Sequence, residues 1–326
     1  MIRRRDFIGL VGGAAAWPLA AHAQQSAVPV VGFLSFGTPA ERVAGLLGFR
    51  KGLSEMGYVE GRNIAIEFRW AQNDASRLPE LTTDLIGRRV AVIVCVGGSA
   101  TLAAKALTST IPIIFLGGND PVQLGTVASL NRPGGNITGI TTMNGDLGSK
   151  QLGPLHELLP HASRFAGLFN GSVARPGSVI TQLQAAAAAI GGDIEFFYAT
   201  TNAEIDTVFA RIVEKRIDAL VVQDQFLFRD RRTQIIGLAT RHAMPVIYGD
   251  RDFVTAGGLM SYGPNLSDLN RQLGIYTGRV LKGEDPADLP VIRSTRFEFV
   301  INLQATKLIG IDVPPTLLAL ADEVIE

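Results

Sequence analysis

One cysteine in 326 residues leaves this chain without an internal disulfide and without a cysteine-built zinc site. Histidine is nearly as scarce, at four residues. Neither sign of charge is in excess: Lys and Arg total 30, as do Asp and Glu, so the formal net charge is zero. A nucleic-acid partner calls for a basic excess or a clustered basic face, and this balance gives no support for one. The motifs of common chemistries are missing too. There is no Gly-x-Ser-x-Gly elbow, no His-Glu-x-x-His, no Walker loop, and no Gly-x-Gly-x-x-Gly after the first strand. His22 lies in the N-terminal segment, and His156, His161 and His242 fall at predicted helix ends, where a cation suits the dipole. No histidine stands at a strand end, so the chain does not read as an enzyme. No metal site and no cofactor are expected.

What is present is apolar residue, at 47% of the chain, which excludes a disordered polymer. The length suggests about two domains at roughly 100–200 residues each. Mean hydropathy is slightly positive at +0.23, which raises the question of a membrane segment. Residues 1–23 answer part of it. Arg3, Arg4 and Arg5 precede the apolar stretch Phe7–Ala16, and Ala21-His22-Ala23 fits a small-x-small cleavage site. The stretch is shorter than the roughly 20 residues that a spanning helix needs. Arg4-Arg5-Asp6-Phe7-Ile8 reads as the core of a twin-arginine export signal, with an ordinary Sec signal as the alternative. Either route leads to the periplasm. No cysteine near the cleavage point offers a lipid anchor there, and no later run is long enough to span a bilayer. Cleavage after Ala23 would remove three arginines and one aspartate and leave a net charge of −2.

From Val28 onward, apolar strand-like runs alternate with helical stretches. Val28–Ser35, Asn63–Phe68, Val90–Val96 and Ile111–Leu116 read as strands. Pro39–Gly57, Leu78–Arg88, Ser99–Thr108 and Val122–Leu130 read as helices between and after them. Continuous apolar strands separated by helices indicate parallel sheets covered on both faces, wound by right-handed crossovers. The pattern restarts after Asn136–Thr142. Strands are expected near Phe165–Phe169, Ile194–Tyr198, Ala219–Val222, Val246–Tyr248, Leu259–Tyr262 and Phe297–Leu303. Helices are expected at Asp146–Leu159, Ser178–Ile190, Ala203–Lys215, Arg229–His242 and Ser267–Leu281, with a short one near Ala305–Ile309. The fold class is α/β, with two doubly wound lobes facing one cleft.

Ligands of such sheets sit past the carboxyl ends of the strands. Ser35 and Phe36 end the first strand. Gly97-Gly98-Ser99-Ala100-Thr101 follows the third, with Ser99 able to cap a helix whose free N–H groups suit a carboxylate. A simple capped turn is the alternative reading. Gly117-Gly118-Asn119-Asp120-Pro121 follows the fourth strand. In the second lobe Asn170, Asp224, Gln225, Phe226, Tyr248 and Asp250 hold the matching positions. Asp224 or Asp250 could meet an ammonium group, while Phe36, Phe226 and Tyr248 could sandwich an apolar body. Cys95, inside an apolar strand, reads as an inert buried thiol.

The chain also resembles a known family, the ABC transporter substrate-binding proteins of the tryptophan- and tyrosine-binding type. The likeness is carried by Gly52-Leu53-Ser54-Glu55-Met56-Gly57-Tyr58-Val59-Glu60-Gly61-Arg62-Asn63, by Asn131-Arg132-Pro133-Gly134-Gly135-Asn136, by Gly257-Gly258-Leu259-Met260-Ser261-Tyr262-Gly263, and by the ending Ala321-Asp322-Glu323-Val324-Ile325-Glu326. The resemblance implies a type I periplasmic-binding fold with a three-strand hinge. Lobe 1 would comprise residues 28–141 plus 264–292, and lobe 2 residues 142–263 plus 293–326. It further implies that Gly98, Ser99, Thr101 and Asn119 hold a ligand carboxylate and that Asp224 or Asp250 holds its ammonium. The implied partners are a small-molecule ligand and, transiently, an ABC permease in the inner membrane. A sensory module that presents ligand to a receptor is the alternative. A secreted α/β enzyme using Ser99 or the acids near Asp250 is the remoter one.

Overall fold

The computed structural model describes residues 28–142, 147–171 and 177–326. The export signal expected at residues 1–23, and the first residue of the helix expected from Asp146, lie outside the described residues.

Two sheets carry the fold. The first has six parallel strands in the order β11-β5-β4-β3-β1-β2: β1 Val30–Ser35, β2 Ala65–Trp70, β3 Val92–Val96, β4 Ile113–Gly117, β5 Ile137–Thr141 and β11 Ile292–Arg293. The second has seven strands in the order β13-β12-β10-β9-β8-β6-β7. These are β6 Arg164–Asn170, β7 Asp193–Ala199, β8 Ala219–Val222, β9 Val246–Tyr248, β10 Met260–Pro264, β12 Phe297–Asn302 and β13 Glu323–Ile325. In this sheet only the β10–β12 pair runs antiparallel. β3 and β8 are buried along their whole length, as continuous apolar strands under helices on both faces should be.

Helices cover each sheet on two sides. In the first lobe α1 (Val43–Glu55) and α10 (Leu266–Leu281) enclose Phe33, Val94 and Ile140, while α2 (Leu78–Gly87) and α3 (Gly98–Leu107) enclose Leu34, Cys95 and Phe115. Cys95 is buried as expected, and burial pushes its thiol well above its ordinary value. In the second lobe α4 (Leu147–Leu158) and α5 (Gly177–Ala189) cover one face. The other is covered by α6 (Asn202–Glu214), α7 (Phe226–Asp230), α8 (Arg232–Arg241) and α9 (Arg251–Thr255). α6 shows how local chemistry sets an element. Thr201 caps it, Glu204 reaches back to the Thr200 N–H at 2.6 Å, and Ile205, Val208, Phe209 and Ile212 form its buried face. α11 (Leu303–Ile309) and α12 (Pro315–Leu320) close the lobe.

The chain passes between the sheets three times: between β5 and α4, between β10 and α10, and between β11 and β12. α10 therefore returns to the first sheet after β10. It packs on α1 so closely that a Cβ on Gly52 would lie 1.9 Å from the Arg271 carbonyl oxygen.

Several expected elements differ in form. No helix forms over Val122–Leu130, because Gly125 adopts φ +65° and the turn closes through Thr126 N–H on the Pro121 carbonyl at 2.7 Å. The helix expected over Arg229–His242 is instead two, α7 and α8, broken at Arg231. β5, α9, β11, α12 and β13 lie outside the expected helices and strands. Arg293 pairs with Thr141 in the first sheet, one residue beyond the expected lobe boundary. Among the described residues no helix is long and apolar enough to cross a membrane.

Candidate ligand-binding cleft

The carboxyl ends of the two sheets face each other, and the geometry there follows from a few backbone positions. In lobe 1, β1 ends at Ser35, and Phe36 continues it by donating its N–H to the Val96 carbonyl at 3.0 Å. Next to it Gly97 takes φ +102° and forms the N-cap of α3. Thr101, 2% exposed, turns both its N–H and its hydroxyl onto the Gly97 carbonyl, at 3.1 and 3.0 Å. It holds the glycine turn from beneath. Ser99 is not the cap expected of it: Gly97 and Gly98 make the change into helix without a side chain, leaving Ser99 exposed inside the first turn. Asn119 is exposed beside Gly98, with its Nδ2 3.4 Å from where a Gly98 Cβ would stand. Its carbonyl accepts the Thr141 hydroxyl at 2.8 Å.

In lobe 2, glycine again permits the approach. A Cβ on Gly249 would lie 2.7 Å from the Asp224 Cβ, and one on Gly263 would lie 2.0 Å from the Gly249 oxygen. The ends of β8, β9 and β10 thus converge. Asp224 follows β8 and is held by Arg229 of α7 through two bonds, Nε to Oδ1 at 2.6 Å and Nη2 to Oδ2 at 2.5 Å. The same guanidinium reaches Asp250 past the end of β9, Nε to Oδ2 at 3.1 Å. All three side chains are nearly buried, at 7%, 11% and 2% exposure for Asp224, Arg229 and Asp250. Burial raises the Asp224 carboxyl above the ordinary carboxylate value. The Arg229 charge opposes that rise, Asp250 adds to it, and Arg42 of lobe 1 opposes it too. Asp250 also caps α9, accepting the Asp252 N–H at 3.0 Å. Asn170 is buried at the end of β6 and donates its N–H to the Gln225 side-chain oxygen.

The lobes touch across the cleft. The Phe36 and Phe226 rings lie 5.6 Å apart at 60°, and a Gly97 Cβ would stand 3.1 Å from Phe226 Cε2. The Thr38 hydroxyl donates to Asp230 at 3.4 Å. Arg42, 3% exposed, is anchored in lobe 1 by Asn270 at 2.9 Å and acts on Asp224 in lobe 2.

Phe36, Gly98, Ser99 and Asn119 are therefore grouped on one wall, and Asn170, Asp224, Gln225 and Asp250 on the other. Three expected residues stand apart, among them Thr101 beneath the glycine turn. Tyr248 is 1% exposed and stacks on Phe253 at 4.5 Å inside the lobe 2 core. Ser35 is fully buried, on the same face of β1 as Phe33 by strand alternation. The sequence reading missed Thr38, Arg42, Arg229 and Asp230. The available signal was faint: an arginine five residues after a strand-end aspartate. Among the described residues no three His, Cys, Asp or Glu side chains converge as a metal site.

Two α/β lobes crossed three times by the chain and meeting at their strand ends define a type I periplasmic-binding fold. The chain belongs to the ABC transporter substrate binding protein family, whose model matches residues 27–325. A tyrosine-binding protein of Clostridioides difficile (strain R20291) is 28% identical over 260 residues, 80% of this chain and 74% of that protein. Among solved structures, an ABC domain from Streptococcus pneumoniae in complex with L-Trp superposes with a TM-score of 0.82 at 24% identity, covering 91% of this chain and 99% of that one. A conserved domain protein from Vibrio cholerae gives 0.83 at 24% identity, with the same coverage.

Proposed function

We propose that this chain is the exported, periplasmic solute-binding component of an ABC importer, and that its lobes close on a small carboxylate solute, an amino acid or an aromatic acid. The observation that carries the reading is the apposition of Phe36 and Phe226 across the cleft, beside a glycine turn that opens α3 and opposite a buried Asp–Arg–Asp cluster. Two such rings lining the cleft suit an aromatic body packed against them once the lobes part, and a carboxylate suits the free N–H groups of a helix start. The tyrosine-binding relative and the L-Trp complex support an aromatic ligand.

In this reading Gly98, Ser99 and Asn119 meet the carboxylate, with Thr101 fixing the turn. Asn170 and Gln225 form the opposite wall, while Ser35 and Tyr248 support their strands. The bodies that move are the two lobes expected from the sequence, residues 28–141 with 264–292 and residues 142–263 with 293–326, except that Pro264 goes with the second sheet and Arg293 with the first. Binding chemistry alone suffices, and differential affinity for the closed form shifts the population toward it. The closed form then docks on a permease in the inner membrane, whose ATPase supplies the energy. Arg4-Arg5-Asp6-Phe7-Ile8 supports export by the twin-arginine route.

A thermal-shift screen against aromatic amino acids, aromatic carboxylates and small peptides tests this. A ligand bound only by the folded form at 100 times its Kd stabilises by about 2.7 kcal/mol, so Tm rises with concentration. No shift with any member of the three classes contradicts the reading.

A further inference from the structure

The lobe 2 cluster bears on which carboxylates enter, and the following rests on the solute-binding reading above. An ammonium taken into a closed, desolvated cleft needs an anionic partner. The acids at the ends of β8 and β9 are Asp224 and Asp250, and Arg229 already engages both, at 2.5–2.6 Å and 3.1 Å. Asp230 accepts from Thr38 and lies 3.4 Å from Arg231. Asp120, past β4, spends Oδ1 on the Val122 and Gln123 N–H groups. Asp224, Asp250, Asp230 and Asp120 are thus each engaged from within the protein.

The charge count points the same way. Asp224, Arg229 and Asp250 alone sum to −1. Arg42, held from lobe 1 by Asn270, is the cation that meets Asp224 when the lobes are together. Asp252, in the first turn of α9, adds a third anion, and its charge is met by Arg229 and by Arg232. Three cations then face three anions, all six from the protein, and an added ammonium would unbalance the group.

We propose that Arg229 is a specificity-determining residue: by occupying Asp224 and Asp250 from within the protein, it makes the cleft select aromatic carboxylates that lack an α-ammonium over the corresponding amino acids. Such compounds keep the aromatic body and the carboxylate that the cleft accommodates and omit the group for which it offers no counter-charge.

Calorimetric titration of the purified chain with matched pairs tests this. The pairs are L-tyrosine against 3-(4-hydroxyphenyl)propanoate, L-tryptophan against 3-(indol-3-yl)propanoate, and L-leucine against 4-methylpentanoate. The expected result is that the propanoate of at least one aromatic pair binds about tenfold or more tightly than its amino acid. Arg229→Gln should move that ratio toward the amino acid by about tenfold, a change that a merely structural role would not produce. Should Arg229→Gln fail to fold, Arg42→Gln removes a cation from the other lobe and is expected to move the ratio the same way. Equal or tighter binding of the amino acid in both aromatic pairs overturns this inference and leaves the solute-binding reading standing. An unchanged ratio in the folded variant overturns the role of Arg229. Absence of binding by every member of the three pairs overturns the ligand class on which the inference rests.

Discussion

Gly97 bears two demands at once. Its φ of +102° is one that L side chains rarely adopt, and a Cβ there would stand 3.1 Å from both Phe36 Cβ and Phe226 Cε2. Gly97→Ala is therefore expected to cost about 1–3 kcal/mol of stability through backbone strain alone. It should also weaken binding of any solute that needs the closed form, because the new methyl pushes against Phe226. Urea denaturation reads the first effect and calorimetry the second. At this scale the sequence was informative about position but not about direction. Strand ends can be counted along the chain, and the candidates drawn from them include Phe36, which meets Phe226 of the other lobe, and Asp224, which feels the charge of Arg42. Whether a strand-end side chain joins the core or the cleft depends on its depth: Tyr248, the last residue of β9, is turned onto Phe253, whereas Asp250, two residues past the strand, meets Arg229. The engagement of both acids by Arg229 arises from the tight turn into α7, where no periodicity signals it.

Among the elements, α1 and α10 make the closest contact, and they do so through glycine. Besides Gly52 against the Arg271 carbonyl, a Cβ on Gly274 would lie 2.1 Å from the Phe49 oxygen and one on Gly48 would lie 2.6 Å from the Ser267 oxygen. The neighbours are backbone atoms, so no side-chain rotation relieves an added methyl. Gly52→Ala should therefore destabilise by about 1–3 kcal/mol, read as a lower urea midpoint at unchanged slope. A larger loss would mean that α10 leaves its seat, taking with it Asn270, which anchors Arg42. Helices with strong apolar periodicity and caps, α6 and α10 among them, were legible to within a residue or two. The failures have local causes. Pro121 and the residues after it have the pattern of a helix start, but Gly125 in the left-handed region ends the turn there. β13 is three residues long and pairs with β12 alone, too little pattern to mark a strand.

For the whole molecule, alternating apolar runs and helices sufficed to expect two α/β lobes, and the long family-like motifs extended that to the hinge. Closure depends on pairings that run between distant parts of the chain: Phe36 with Phe226, Thr38 with Asp230, Arg42 with Asp224. Such contacts form only when two independently folded surfaces meet, so no local pattern encodes them. Among the described residues these contacts include a ring contact, a hydrogen bond and a charge pairing, with Phe226 packed against lobe 1. A joint of discrete contacts, unlike a continuous core, can open in solution and be shifted by a ligand's differential affinity. Small-angle X-ray scattering of the chain, ligand-free and then saturated with L-tyrosine or 3-(4-hydroxyphenyl)propanoate, tests this most directly. Capture by closure predicts a smaller radius of gyration with whichever compound binds; superimposable curves at a concentration that calorimetry shows to be saturating would contradict it.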